Sequence, residues 1–268
     1  MAGQWILSDA HAHMGSPAER QEREQNGIFS LLCGGTPGEA EALWESFEKS
    51  KGKSCLKPAC GIHPWYADRY ELSDMERWLL LCPVIGEIGM DSVWCRVPLD
   101  VQEERMRQQL HLACRLQKPV VLHTKGQEEK IARIIDEYPN RYLVHWYSCE
   151  SFLEEYVSRG CYFSVGPDVW WNPSVRKVAE RVPLERLLIE TDGLEAVRWA
   201  WEEGERYREV QGGGQPLKSG PSAGGSGGRV TRSLEHTLQT IAGIRGISLE
   251  EAGRQFAGNL KKGFLLGV

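Results

Sequence analysis

Eight short apolar runs, helical patterns between most of them, and a length of 268 residues predict an α/β chain wound into a single (β/α)8 TIM barrel. Buried strands that alternate with amphipathic helices imply a parallel sheet. Eight such units suit the ~250 residues usual for a barrel of this kind. A doubly wound open sheet is the alternative, but the first strand-to-helix turn lacks a phosphate-binding glycine fingerprint. The expectation is one domain over residues 1–268, with any active site at the C-terminal ends of the strands.

The first run, QWILSDAHAH at 4–13, starts apolar and ends on alternating Asp9, His11 and His13. On a strand these three share one face. GIFSLLCGG at 27–35 and LKPACGIHP at 56–64 follow, the latter carrying His63 just past its apolar part. PVIGEIGMD at 83–91 contributes Glu87, and PVVLHTKG at 119–126 ends on His123. RYLVHWYS at 141–148 places His145 at the end of the sixth strand. GCYFSVGPD at 160–168 is the seventh run, and RLLIETDG at 186–193 closes the set with Asp192. Among the helices, 100–117 puts Met106, Leu110, Ala113 and Cys114 on one face, with Asp100 and Glu103 as a capping box. Phe152, Leu153, Tyr156 and Val157 form another apolar face before Gly160, a helix stop. Ser248 and Glu251 cap a helix that presents Leu249, Ala252, Phe256 and Leu260. Residues 211–228 hold eight glycines in eighteen positions and read as a flexible Gly/Ser-rich insertion after the eighth strand.

With 41% hydrophobic and 26% charged residues, the composition is that of an ordinary globular protein. No stretch reaches the ~18 apolar residues of a membrane span, and no secretion signal precedes the histidines. Eight cysteines stand singly without a CxxC pair, as reduced thiols do in a cytoplasmic protein. A net charge of −5 argues against wrapping a long duplex by phosphate neutralisation, but leaves room for one anionic group in a metal-lined pocket.

Chemistry is carried by the strand ends. His11, His13, Glu87, His123, His145 and Asp192 fall at the same end of five strands, where a barrel keeps its catalytic groups. Each would cost on the order of several kcal/mol to bury uncompensated, so packing is a poor explanation for all six. Six nitrogen and oxygen ligands exceed the needs of one tetrahedral ion and suit two divalent ions. Glu87 is the natural bridge, because its carboxylate has two oxygens to give. So many imidazoles favour Zn, Mn, Co or Fe over Mg.

The ordered set DxHxH, GIHP, IGEIGxD, LH, a strand-six His and ETD resembles the TatD family of metal-dependent hydrolases in the amidohydrolase superfamily. The likeness runs from Asp9 to the C-terminal helix. It implies a TIM barrel, divalent metal and phosphoester hydrolysis, with DNase activity in some members. It also implies that the six residues above are metal-site residues and that His63 contacts substrate. Three departures fall on the rim. Gly193-Leu194 replaces the usual Ser-Pro, and EAVRWAWEE after it reads as a helix. Thr124-Lys125 stands where Ser-Arg is common, offering a point charge in place of a fork. WYSC after His145 replaces a Cys-Phe-Ser-Gly pattern, keeping Ser148.

The expected activity is therefore a metal-dependent phosphoesterase or deoxyribonuclease that uses a metal-bridging hydroxide. Its substrates would be phosphoesters such as single-stranded DNA ends or nucleotides, with no membrane and no stable protein partner implied. Asp192, with Glu87, is assigned to catalysis, and Lys125 and His63 to substrate. A lactonase or amidohydrolase on a non-phosphate substrate, or a catalytically idle metal-binding relative, are the alternatives. Trp65, Tyr66, Trp94, Trp146, Tyr147, Trp170 and Trp171 lie just past strand ends, where aromatics stack bases or pack helices. Asp9 is expected to orient a ligand from behind, and His111 and His236 to be surface or packing residues.

Overall fold

Each of the eight apolar runs forms a strand. The computed structural model describes residues 5–50, 54–211 and 228–265. The strands are β1 (Ser8–His13), β2 (Phe29–Gly34), β3 (Leu56–Cys60), β4 (Val84–Gly89), β5 (Val120–His123), β6 (Tyr142–Val144), β7 (Tyr162–Val165) and β8 (Leu187–Ile189). They pair in parallel and in chain order. A parallel bridge between Ala12 and Asp192 joins the last strand to the first, so the sheet curls into a barrel. The first strand starts at Ser8, later than its apolar lead-in suggests, because Trp5–Leu7 precede the ladder. The Gly/Ser-rich stretch expected at 211–228 lies almost wholly outside the described residues.

The barrel interior receives at least one side chain from every strand. Ala10, Leu31, Ala59, Val84, Val121, Leu143, Tyr162 and Leu188 form one buried cluster with Cys33. Leu260 and Phe264, from the C-terminal segment, join it. A second, larger core lies between strands and helices. Period-two alternation then decides what sits above the interior layer. Two residues after Val121, Leu143 and Leu188 come His123, His145 and Glu190, all buried. In this way the strand sequence itself lifts imidazoles and carboxylates to the mouth.

Several helix ends correct the sequence reading. Helix α4 (Leu99–Leu116) starts after Pro98 with no side-chain cap, so Asp100 and Glu103 do not form the expected box. Glu103 instead pairs with Lys130 at 2.5 Å and Arg107 at 2.9 Å, which takes its carboxylate away from the helix start. At α6 (Leu153–Ser158), Phe152 stands outside the helix at φ 62°, and Gly160 at φ 71° ends it. At α10 (Leu249–Leu260), Ser248 accepts a hydrogen bond from the Glu251 backbone, which is one half of the expected box.

Where β1 meets β8, the ladder is reinforced by charge. The Asp9 carboxylate accepts from Arg23 Nη1 at 2.7 Å, from the Thr191 amide at 2.9 Å and from its hydroxyl at 2.6 Å. Arg23 belongs to α1 (Pro17–Gln25) and is buried, as is Asp9. Asp9 thus holds the seam and does not share the face of His11 and His13. A register shift in β1 between Asp9 and Ala12 breaks the alternation and separates them. Removing one partner of a buried ion pair leaves the other unpaired, at a cost of about 3–5 kcal/mol. Asp9→Ala should lose that much stability in urea denaturation, and a change under about 0.5 kcal/mol would contradict the seam's role.

Candidate metal centre

The six residues expected at the strand ends converge. Glu87 is buried at the centre, with Oε1 2.5 Å from His123 Nδ1 and 2.6 Å from His145 Nε2. Its other oxygen, Oε2, lies 3.4 Å from His11 Nε2, 3.6 Å from His13 Nε2 and 3.5 Å from His63 Nε2. Asp192 Oδ1 stands 3.1 Å from His11 Nε2 and 3.5 Å from His13 Nε2. Irregular strands aim two of these side chains. The shift in β1 lets His11 follow the inward Ala10 directly, and a shift in β4 between Ile85 and Ile88 turns Glu87 inward.

Several of these atoms are near one another yet badly oriented for mutual hydrogen bonding. Among the described residues, His11 Nε2, Glu87 Oε2 and Asp192 Oδ1 are buried without a hydrogen-bond partner. Three groups have ligand atoms within 4.8 Å of one another, namely His11–His13–Asp192, His11–Glu87–His145 and His63–Glu87–His123. Buried polar atoms left unsatisfied are costly, and a shared cation resolves the cost. The donor set, imidazoles with carboxylates, suits divalent transition metals.

Charges in the cluster point the same way. Burial opposes ionisation of Glu87, but His145, His63, His11 and His123 hold its carboxyl well below the usual range. Burial lowers His145, yet Glu87 outweighs it and raises this imidazole to about 9. His11 is likewise raised well above its ordinary value, against burial, by Cys33, Glu87 and Asp192. A metal must displace protons from such imidazoles, so low pH opposes binding. Metal affinity should therefore climb as pH rises from 6 towards 9, with protons released on binding. Calorimetry in buffers of different ionisation heat checks this, and pH-independent affinity would contradict it.

The sequence matches the family model for TatD related DNases over residues 8–265. The chain belongs to this TatD family. It is 27% identical to the uncharacterized metal-dependent hydrolase YjjV of Escherichia coli over 69% of this chain and 78% of that protein. It is 29% identical to the human 3'-5' RNA nuclease TATDN2 over 57% of this chain, a match that spans 21% of the human protein. In structure it resembles the TatD homologue YjjV from E. coli, at a TM-score of 0.75 and 21% identity, covering 98% of this chain and 99% of that one. A TatD family hydrolase from Entamoeba histolytica has the same fold, at a TM-score of 0.71 and 16% identity, covering 97% and 98% of the two chains.

Around this TatD centre stand residues that sequence reasoning missed. Asp91 Oδ2 lies 3.2 Å from His123 Nε2 and accepts from Trp65 Nε1 at 2.8 Å, while Oδ1 accepts from the Val93 and Trp94 amides. Glu190 accepts from the Ser164 hydroxyl at 2.6 Å and has Oε1 3.7 Å from His145 Nδ1. Cys33 Sγ is 3.3 Å from His11 Nδ1. Such groups fix ring orientation behind metal ligands. Position carried a signal for the two carboxylates: Asp91 ends the IGEIGMD run, and Glu190 precedes Asp192 by two just past β8. A lone cysteine offered none.

The residues assigned to substrate are placed differently from each other. His63 is buried beside Glu87 and accepts a hydrogen bond from the Trp65 amide through Nδ1 at 3.2 Å. It stands on the loop just beyond β3, yet buried within the imidazole cluster. Lys125 lines a cavity of about 290 Å³ directly over His123, His145 and Asp192. Its Nζ donates to Ser148 Oγ at 2.9 Å and lies 4.7 Å from the Trp94 ring centroid.

The aromatic residues separate into packing and cavity groups. Tyr147 is buried against Tyr156 and Phe163. Trp170 and Trp171 pack on α8 (Leu194–Val210), the helix expected from EAVRWAWEE, through Trp201 and the Ala200 carbonyl. Trp94 and Trp146 line the cavity, joined by Trp199 from α8. His236 packs against Trp201 and His111 is exposed, as expected.

Proposed function

We propose that this TatD-family protein is a hydrolase of phosphoester bonds at single-stranded nucleic-acid ends, using two divalent ions held by His11, His13, Glu87, His123, His145 and Asp192. The observation that carries the proposal is the buried set of mutually close but unsatisfied ligand atoms around Glu87, open to a cavity that also holds a lysine. Its imidazoles favour Zn, Mn, Co or Fe over Mg. Such ions, when bound, acidify a water and clamp the oxygens of a phosphoester.

The chain's own groups have distinct tasks. Glu87 spans both halves of the site through its two oxygens. Asp192 borders the cavity and is charged, since the neighbouring imidazoles outweigh its burial and lower its pKa. It is therefore available to take a proton from the attacking water and return it to the leaving oxygen. Lys125 offers a positive charge at the cavity wall for the phosphate. His63 Nδ1 accepts a backbone amide, so in the neutral ring Nε2 bears the proton and points toward Glu87.

The name of the human relative, a 3'-5' RNA nuclease, and that of the Rahnella TatD, a 3'-5' ssDNA/RNA exonuclease, agree with this reading. The test is a hydrolysis screen of metal-loaded protein on single-stranded DNA and RNA, duplex DNA, phosphomonoesters and lactones. Release of mononucleotides from single strands is the expected result. Lys125→Ala should raise KM for these substrates about tenfold at unchanged metal content, as loss of a charged hydrogen bond does. Turnover confined to lactones would refute the assignment.

A further inference from the structure

Three tryptophans at the cavity come from three separate segments, after β4, after β6 and from α8. Trp199 meets Trp94 edge-on at 5.9 Å between centroids and Trp146 at 6.0 Å, with interplanar angles of 75° and 69°. None of the three rings is stacked flat on another. Trp94 is 53% and Trp199 41% exposed, high for indoles that line a pocket.

Trp146 is held in place at a visible cost. Its backbone sits at φ 37°, an outlying conformation for a bulky residue. The indole lies so close to Gly166 that a Cβ there would come within 2.4 Å of the ring. Its Nε1 donates to Asp168 at 2.7 Å, and Asp168 also accepts from Asn172 at 2.8 Å. Burial raises the Asp168 carboxyl to about 6, so even this anchor is retained against a penalty. Strain of this sort persists where surrounding structure over-determines it and marks functional positions. Helix packing alone does not require an indole held on a strained backbone and aimed into a cavity.

What the box can hold follows from size and charge. About 290 Å³ lies at the small end of the ~300–1,000 Å³ typical of ligand sites. One nucleotide fits such a space and a duplex does not. The cavity floor is the metal cluster and one wall carries the Lys125 ammonium, both suited to a phosphate. Of the remaining lining, the three indoles supply the flat faces suited to a π-system, beside polar side chains that include Glu128, Asp168 and Asn172.

We infer that Trp94, Trp146 and Trp199 form a nucleobase-binding box that receives the terminal nucleotide of a single strand while its phosphate lies over the metal cluster. The inference rests on the phosphoesterase reading for the placement of the phosphate. Trp146 and Trp199 lie in segments where the sequence departs from the motif pattern given above, and Trp94 lies in the loop beyond Asp91.

The experiment is calorimetric binding of deoxyadenosine 5'-monophosphate and of 2-deoxyribose 5-phosphate to the metal-loaded protein. The parent should bind the nucleotide at least tenfold more tightly than the baseless sugar phosphate. Trp199→Ala and Trp94→Ala, at exposed positions, should each weaken nucleotide binding roughly 5- to 150-fold, the worth of one stacked base. Binding of the sugar phosphate should change by less than about twofold, and Trp199→Phe should restore part of the difference. Equal affinity for the two ligands in the parent, or a difference untouched by both alanine variants, overturns the box. Failure of the activity reading looks different: the nucleotide preference and its loss in the variants would remain, with no hydrolysis of single strands.

Discussion

Glu87→Ala should lower activity by more than the ~10–100-fold that follows loss of an outer partner of a metal ligand, and should empty the metal centre with it. No other described carboxylate lies within reach of five imidazoles, through Oε1 for His123 and His145 and through Oε2 for His11, His13 and His63. Its removal leaves those rings without their central counter-charge in a buried pocket. The sign of the linked stability follows from its pKa. A carboxylate held below its ordinary value stabilises the fold above that value and loses the contribution as pH falls through the depressed one. At neutral pH the contribution is fully present, so the metal-free variant should also melt below the metal-free parent. Elemental analysis and kcat on the same preparation test the first claim. A variant with full metal content and parental turnover would remove Glu87 from the centre.

Asp192→Asn should retain the fold and, at high metal concentration, the metal, while kcat falls at least ~10²-fold. The amide keeps the side chain's shape and one oxygen donor but cannot take a proton. Asp192 is well placed for that proton, since it lines the cavity and lies 3.1 Å from His11 and 3.5 Å from His13. The residue after it, Gly193, adopts φ 97°, which side-chain-bearing residues rarely reach, and this turns the chain sharply into α8. If activity instead falls only in step with metal loss, Asp192 is a ligand and nothing more. Full turnover in a metal-replete Asn variant would exclude it from the proton's path.

Much of this arrangement was legible from residue order. His123, His145 and Asp192 follow inward-facing positions by an even number of residues, so period-two reasoning places them at the mouth. The ends of the strands follow from apolar runs that stop at glycine or polar steps. Legibility failed where local irregularity intervened. Asp9 shares the parity of His11 and yet bonds Arg23 and Thr191, because β1 shifts register between them. Asp100 and Glu103 have the spacing of a capping box, but the helix begins at Leu99 and Glu103 is drawn to Lys130 and Arg107. Trp199 was invisible as a site residue because nothing in a helical sequence tells which turn faces a cavity. Only the packing of α8 beside the loops after β4 and β6 brings Trp199 to the cavity.

The hydrogen bonds between Asp9 and Thr191 join residues 182 positions apart, and the proposed metal ligands span almost the same interval, from His11 to Asp192. During synthesis, the histidines of β1 leave the ribosome long before their carboxylate partner exists. A nascent chain that has not yet made β8 has neither a closed barrel nor a complete ligand set. Under the proposed function, competence to cut a phosphoester is expected only once the final strand docks, and a chain truncated before Asp192 should be inactive. Recovery of activity after unfolding would then report the closure of β1 against β8, among the longest-range contacts of the fold.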